Sequence, residues 1–173
     1  MTTADPTTAT TQVYRVYIKA TPQAIWDAIT QPEWTERYGY GGRGEYDLRP
    51  GGAYRGYTSQ GMRSAGAPDL AIDGEIVEAD PPWRLVQTWR MVMDEVMAAE
   101  GFTRLTYEIK EGRAGVTRLT VTHELAGTPQ LAVLMSGGRE DEGAGGGWSW
   151  VLSSLKTLLE TGSEIEFQPG APE

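Results

Sequence analysis

GWSWVLSSLKTLLETG, residues 147–162, sets what every other segment has to build. Trp148, Val151, Leu152, Leu155, Leu158 and Leu159 recur at i, i+3, i+4, i+7, i+10 and i+11, one apolar stripe on a 3.6-residue period. Lys156 and Glu160 fall off the stripe, and Gly162 stands where a helix C′ residue belongs, so both the face and the stop of a helix are written. Covering those side chains is worth on the order of 10 kcal/mol, at roughly 1.5–3 kcal/mol per large residue. The chain must therefore supply a broad apolar partner, which a sheet provides. Trp150 points away from the stripe, toward Ser153, Ser154 and Thr157. The helix then either meets a second surface or leaves one indole near solvent.

Length and composition narrow the rest. At 173 residues one domain can bury a real core. The absence of cysteine excludes disulfides and thiolate metal sites, and a single histidine, His123, excludes a His-rich one. No EF-hand spacing occurs, so no metal and no cofactor are expected. A formal charge of −9 with scattered basic residues argues against nucleic acid or an anionic membrane as partner. No apolar run is long enough for a bilayer, and residues 1–12 lack the basic start and apolar centre of a signal peptide; the expectation is a soluble, cytoplasmic protein, a monomer or weak homodimer.

Working outward, residues 1–11 and 163–173 read as disordered tails around a single domain at 12–162. Residues 13–20 alternate as a half-buried strand with Tyr14, Val16 and Ile18 on one side. Thr21-Pro22 supplies an N-cap and N1 for a helix through Thr30 with Ile25, Trp26 and Ile29 on its apolar face, and Pro32 restarts a shorter helix reaching Tyr38. GYGGRG at 39–44 matches a dinucleotide-binding pattern letter for letter, but it follows a helix and leads into a strand, the reverse of a phosphate-cradling loop. It is expected to be a glycine-loosened loop presenting Tyr40. Strands at 43–48 and 53–59 flank an Arg-Pro-Gly-Gly turn, 60–68 reads as a loose loop, and 70–78 pairs with 83–93 across Asp80-Pro81-Pro82. Leu85, Gln87, Trp89, Met91 and Met93 share one parity, a soft and aromatic face. A hairpin at 102–110 and 116–125 follows, with Tyr107 and His123 facing inward with their apolar neighbours. A short helix at 129–135 and a glycine- and acid-rich segment at 136–147, expected to be a mobile linker, lead into the terminal helix.

The order strand, helix pair, six-strand meander, long terminal helix resembles the helix-grip architecture of the START/Bet v 1-like (SRPBCC) superfamily. Five stretches are similar to the branch typified by the C-terminal domain of the activator of Hsp90 ATPase: ATPQAIWDAIT at 20–30, LRPGGAY at 48–54, DGEIVEADPPWRLVQTW at 73–89, TRLTVTHE at 117–124 and GWSWVLSSLKTLLE at 147–160. The resemblance implies an α+β fold with a curved antiparallel sheet of about seven strands around the terminal helix, and a cavity between the two. The expected ligand wall is Trp34, Tyr38, Tyr40, Trp89, Met91, Met93, Tyr107, His123, Trp148 and Leu152.

Three functions follow from this resemblance. The first is binding of an apolar, aromatic small molecule for sequestration or self-resistance, as in actinomycete proteins that quench enediynes by sacrificing a glycine hydrogen; Gly41, Gly42, Gly61, Gly112 and Gly115 lie near the expected mouth. The alternative is a polyketide cyclase using His123, assisted by Tyr107, since His123 alone has an ordinary pKa near neutrality. The third is an Hsp90 cochaperone-like domain.

Overall fold

The computed structural model describes residues 11–166. Of the tails expected at 1–11 and 163–173, residues 1–10 and 167–173 lie outside them. Seven strands, β1 (Thr11–Ile18), β2 (Gly44–Tyr46), β3 (Ala53–Tyr57), β4 (Leu70–Asp80), β5 (Arg84–Met91), β6 (Thr103–Glu111) and β7 (Thr117–Glu124), form one antiparallel sheet in the order β1-β7-β6-β5-β4-β3-β2. Helices α1 (Pro22–Thr30) and α2 (Pro32–Thr35) follow β1, and α6 (Gly147–Thr161) closes the fold.

Local chemistry explains the elements. Thr21 caps α1, its side chain accepting from Ala24 N at 3.1 Å with Pro22 at N1, and Ile25, Trp26 and Ile29 are buried. Gly162 adopts φ 74° at the end of α6, a conformation that costs glycine nothing. The stripe of α6 packs where expected: Trp148, Leu152 and Leu155 join Ile18, Leu85, Leu105, Leu119 and Val121 from the inner face of the sheet in one core. The sheet is curved, and the ladder shifts register between Gly56 and Tyr57 and between Ile76 and Glu78, a device that bends strands.

The first strand pairs with the last, leaving β1 as one sheet edge. Helix α6 covers it. Lys156 Nζ donates to the Tyr17 carbonyl at 2.6 Å, and Lys19 N donates to Glu160 Oε1 at 2.9 Å. Unpaired edge groups that would otherwise recruit another strand are thereby occupied.

Four points differ from the expectations. The stretch expected to be a loose loop at 60–68 contains helix α3 (Gln60–Ser64), capped by Ser59 Oγ accepting from Met62 N at 3.2 Å. An unforeseen helix, α4 (Glu95–Glu100), follows β5, capped by Asp94 accepting from Met97 N at 3.0 Å. Both are too short for a hydrophobic period to show. The segment after α5 (Pro129–Met135) is not structureless: a 3₁₀ turn at Glu140–Glu142 lies in it, held by Arg139 on Glu142 at 2.9 Å. Helix α2 also stops at Thr35, short of Tyr38.

The second surface of α6 exists. Trp150 Nε1 donates to the Gly39 carbonyl at 2.8 Å, and Gly39 N donates to buried Ser154 Oγ at 2.8 Å. The GYGGRG loop is thus fastened to the back of α6, which accounts for a tryptophan and a serine off the apolar stripe.

Candidate functional site

Between the open end of the sheet and the first turns of α6 lies a cavity of about 420 Å³, within the usual span for small-molecule sites. Its wall is aromatic and thioether. Tyr38, Tyr40, Tyr46, Tyr54, Tyr57, Trp89 and Trp148 contribute rings, and Met62, Met91, Met93, Met97 and Met135 contribute sulfur. Every methionine of the chain except Met1 is on that list of five. The thioether side chain is unbranched and polarisable, so such a wall can adapt to irregular apolar shapes.

The polar groups of the wall are engaged one by one. Tyr38 donates its hydroxyl to the Ala28 carbonyl at 2.9 Å. Tyr40 Oη accepts from Gly147 N at 3.0 Å. Thr35 Oγ1 accepts from Gly44 N at 2.7 Å and donates to the Pro32 carbonyl at 3.1 Å, while Thr58 donates to the Pro68 carbonyl at 2.6 Å. Arg43 is paired with Glu45 at 2.9 Å, Arg139 with Glu142 at 2.9 Å, and Asp94 is occupied as the cap of α4. No charge on the wall lacks a counterpart. Burial pushes the phenols of Tyr38 and Tyr46 well above the ordinary range, and Tyr54 up to about 12, where hydrogen bonds from Tyr46 and Trp89 oppose the burial. All three stay protonated near neutrality.

Of the residues expected on the wall, Tyr38, Tyr40, Trp89, Met91, Met93 and Trp148 are there. Four sit elsewhere. Trp34 is half-buried against the core, off the cavity, with the Arg37 guanidinium 5.2 Å from its ring centre. Leu152 is in the core, 6 % exposed. Tyr107 stacks edge-on against Trp148, centroids 6.1 Å apart. His123 is fully buried behind Trp89 and Trp148: Nδ1 accepts from Trp148 Nε1 at 3.1 Å, and Nε2 is 2.8 Å from Thr103 Oγ1. Thr103 spends its own hydrogen on the Trp89 carbonyl at 2.8 Å, so its oxygen accepts and the imidazole is the Nε2–H tautomer. Both nitrogens are used, neither by Tyr107, and burial lowers the pKa to about 3. A neutral, fully bonded imidazole in the core offers no lone pair to a substrate.

The strand parity of β5 found Trp89 and the methionines. Tyr46 and Tyr54 were missed because their meeting depends on the β2–β3 register, which sets them directly opposite. Met62 and Met97 arrive on the two short helices. Of the glycines expected at the mouth, Gly42 lines the cavity; Gly41 and Gly61 line a neighbouring groove, and Gly112 and Gly115 belong to the β6–β7 hairpin. Gly44, Gly56 and Gly143 line the cavity as well.

Among the described residues no cluster of three or more His, Asp or Glu could hold a metal ion, and no helix is long and apolar enough to cross a membrane.

Residues 19–160 match the family model described as Activator of Hsp90 ATPase homolog 1-like protein. The chain belongs to that family. Among solved structures, this family member is similar to protein NE0264 from Nitrosomonas europaea, with 19% identity over 94% of this chain and 100% of that one at a TM-score of 0.64. It is similar to CalU16 from Micromonospora echinospora, with 22% identity, 76% and 69% coverage and a TM-score of 0.53. It is also similar to DynU16, a protein in the dynemicin biosynthetic locus, with 21% identity, 90% of this chain, 49% of that one, and a TM-score of 0.61. A search of curated proteins finds no match. At these identities the likeness carries the helix-grip fold and nothing finer.

Proposed function

We propose that this activator of Hsp90 ATPase homolog 1-like protein binds one large, neutral, largely aromatic small molecule in its cavity and holds it without turnover, as a sequestering or self-resistance protein. The observation that carries this reading is the wall: rings and thioethers surround the space, and every charged group on it is already paired inside the protein. Such a surface favours burying apolar area; its one carboxylate, Asp94, is occupied as the cap of α4, and no imidazole lines the space. The similarity to CalU16 and DynU16, the latter from the dynemicin biosynthetic locus, speaks for a natural product as guest. In the self-resistance version the guest takes a hydrogen from a glycine whose backbone lines the cavity, which narrows the donor to Gly42, Gly44, Gly56 or Gly143.

Native mass spectrometry against a panel of polycyclic natural products tests the reading. The expected result is a one-to-one complex with concurrent quenching of tryptophan emission, because Trp89 and Trp148 are on the wall. Uptake of none of them would refute it, and so would steady formation of a product. After exposure to an activated enediyne, peptide mapping should place damage at one of the four wall glycines.

A further inference from the structure

We infer that the outer face of the sheet, where β1, β7 and β6 lie side by side, is a docking surface for an acidic, extended segment of a partner protein. The pattern of ion pairs carries this. The chain has 24 acidic residues against 15 basic ones, so a basic side chain without an acidic neighbour is the exception. The eleven salt bridges among the described residues engage nine of the fifteen cations, since Arg43 and Arg84 make two each. Of the others, Arg55 donates to the Tyr54 carbonyl at 2.9 Å, and Lys19 adjoins Glu160. Arg15, Lys110, Arg113 and Arg118 remain, with no salt bridge among the described residues, and they share one region. Tyr17 stands opposite Arg118 and Arg118 opposite Lys110, one row across three strands. Arg15 is two residues along β1 from Tyr17, and Arg113 is in the turn between β6 and β7. The adjacent residues Ile18, Leu119 and Ile109 are buried in the core, so strand alternation puts this row on the outer face. Glu108, in the row of Arg15 beyond Thr120, is already engaged by Arg84.

Cations gathered without counter-charges repel one another, and carboxylates relieve the repulsion. Arg118 adds a second reason. Its Nε is buried and finds no acceptor among the described residues, so the guanidinium has given up water there without gaining a bond. A carboxylate on its other nitrogens meets a side chain already partly desolvated. Beside the cations, Tyr17 is 58 % and Val13 48 % exposed on the same side of β1. Arginine together with an exposed aromatic ring suits a protein partner. Nucleic acid or an anionic bilayer would also press its charge against the rest of a chain of net charge −9. The hydrogen-bonding edge of β1 is occupied by Lys156 and Glu160 of α6, so the partner lies on the face and adds no strand. Positions two apart on a strand repeat about every 6.6 Å, and an extended peptide has the same repeat. Carboxylates at alternate positions therefore come to Arg118 and Arg15 in turn.

The test uses a rhodamine-labelled peptide of alternating glutamate and alanine, with the glutamine–alanine peptide of equal length as neutral control, read by fluorescence anisotropy at low salt. The full chain should bind the glutamate peptide about tenfold tighter than the control, and added salt should weaken it. Arg118→Glu and Lys110→Glu should each lower that affinity roughly tenfold. Tyr17→Ala should lower it with the salt dependence retained. Circular dichroism reports folding; if Arg118→Glu is unfolded, Lys110→Glu and Arg15→Glu, at exposed positions, decide. Equal binding of the two peptides, or binding of neither, overturns the proposal. So does binding that survives charge reversal, which places the peptide elsewhere. Tighter binding of duplex DNA or of phosphatidylserine vesicles than of the peptide overturns the protein partner as well.

Discussion

The indole Nε1–H of Trp148 donates to Nδ1 of His123 across 3.1 Å, joining the first turn of α6 to β7 inside the core. That bond occupies the one imidazole nitrogen that lacks a hydrogen, so the same contact that positions the helix withdraws the histidine from chemistry. Trp148 then turns its other surface to the cavity. Structure and function part at this residue pair: His123 holds the wall and Trp148 is the wall.

The first consequence is a pH dependence of stability. Folded His123 stays neutral down to about 3, while in the unfolded chain it titrates near 6.5. Its contribution is complete above pH 6.5 and is lost as pH falls from there toward 3, because the unfolded state takes up the proton first. At about 1.4 kcal/mol per pH unit, roughly 2 kcal/mol should disappear between pH 6.5 and pH 5. Urea unfolding at both pH values measures it. In His123→Leu the baseline stability drops and this slope flattens; an unchanged slope would mean His123 is protonated in the fold.

Ser154 should matter more than its size suggests. Its hydroxyl, 1 % exposed as a residue, is the acceptor for Gly39 N at 2.8 Å. Ser154→Ala strands that amide, at a cost of about 1–3 kcal/mol, and should raise hydrogen exchange across residues 39–44. A melting temperature equal to that of the unaltered chain would show that the loop is held by Trp150 alone.

Gln87 is the opposite case. It is fully buried on the inner face of β5, and its amide has no hydrogen-bond partner among the described residues. Gln87→Leu keeps the volume and removes the unmatched groups, so it should stabilise the fold by about 1 kcal/mol or more. Denaturant midpoints decide; a lower midpoint would mean the amide is satisfied.

Met93→Trp should fill the cavity from a half-buried position at the end of its wall. Guest affinity is expected to fall at least tenfold with a change of less than about 1.5 kcal/mol in stability. Undiminished binding would place the guest elsewhere.

Much of this was legible from residues alone, for identifiable reasons. Helix α6 carries a period long enough to read, Thr21-Pro22 is an unambiguous start, and the strands alternate, so parity correctly turned Trp89, Met91 and Met93 toward the interior. Parity gives the face of a strand but not the depth along it. His123 therefore read as a wall residue, when its partners Thr103 and Trp148, 20 and 25 residues away, enclose it. Trp34 read as a wall residue for a related reason: four residues of α2 are too few to tell a ring packed on the core from one lining the cavity. Tyr46 and Tyr54 meet only through a hairpin register, and Met62 and Met97 ride on helices of five and six residues, below the length at which spacing is informative.

The claim that this cavity houses a guest is tested most directly by the methionines. Five methyl groups, those of Met62, Met91, Met93, Met97 and Met135, line the space, and Met1 lies outside the described residues. In a chain labelled with ¹³C at the methionine methyls, titration with a polycyclic aromatic natural product should shift all five of these resonances together and saturate at one equivalent. Five stationary resonances across the panel, or shifts that never saturate, would contradict the account.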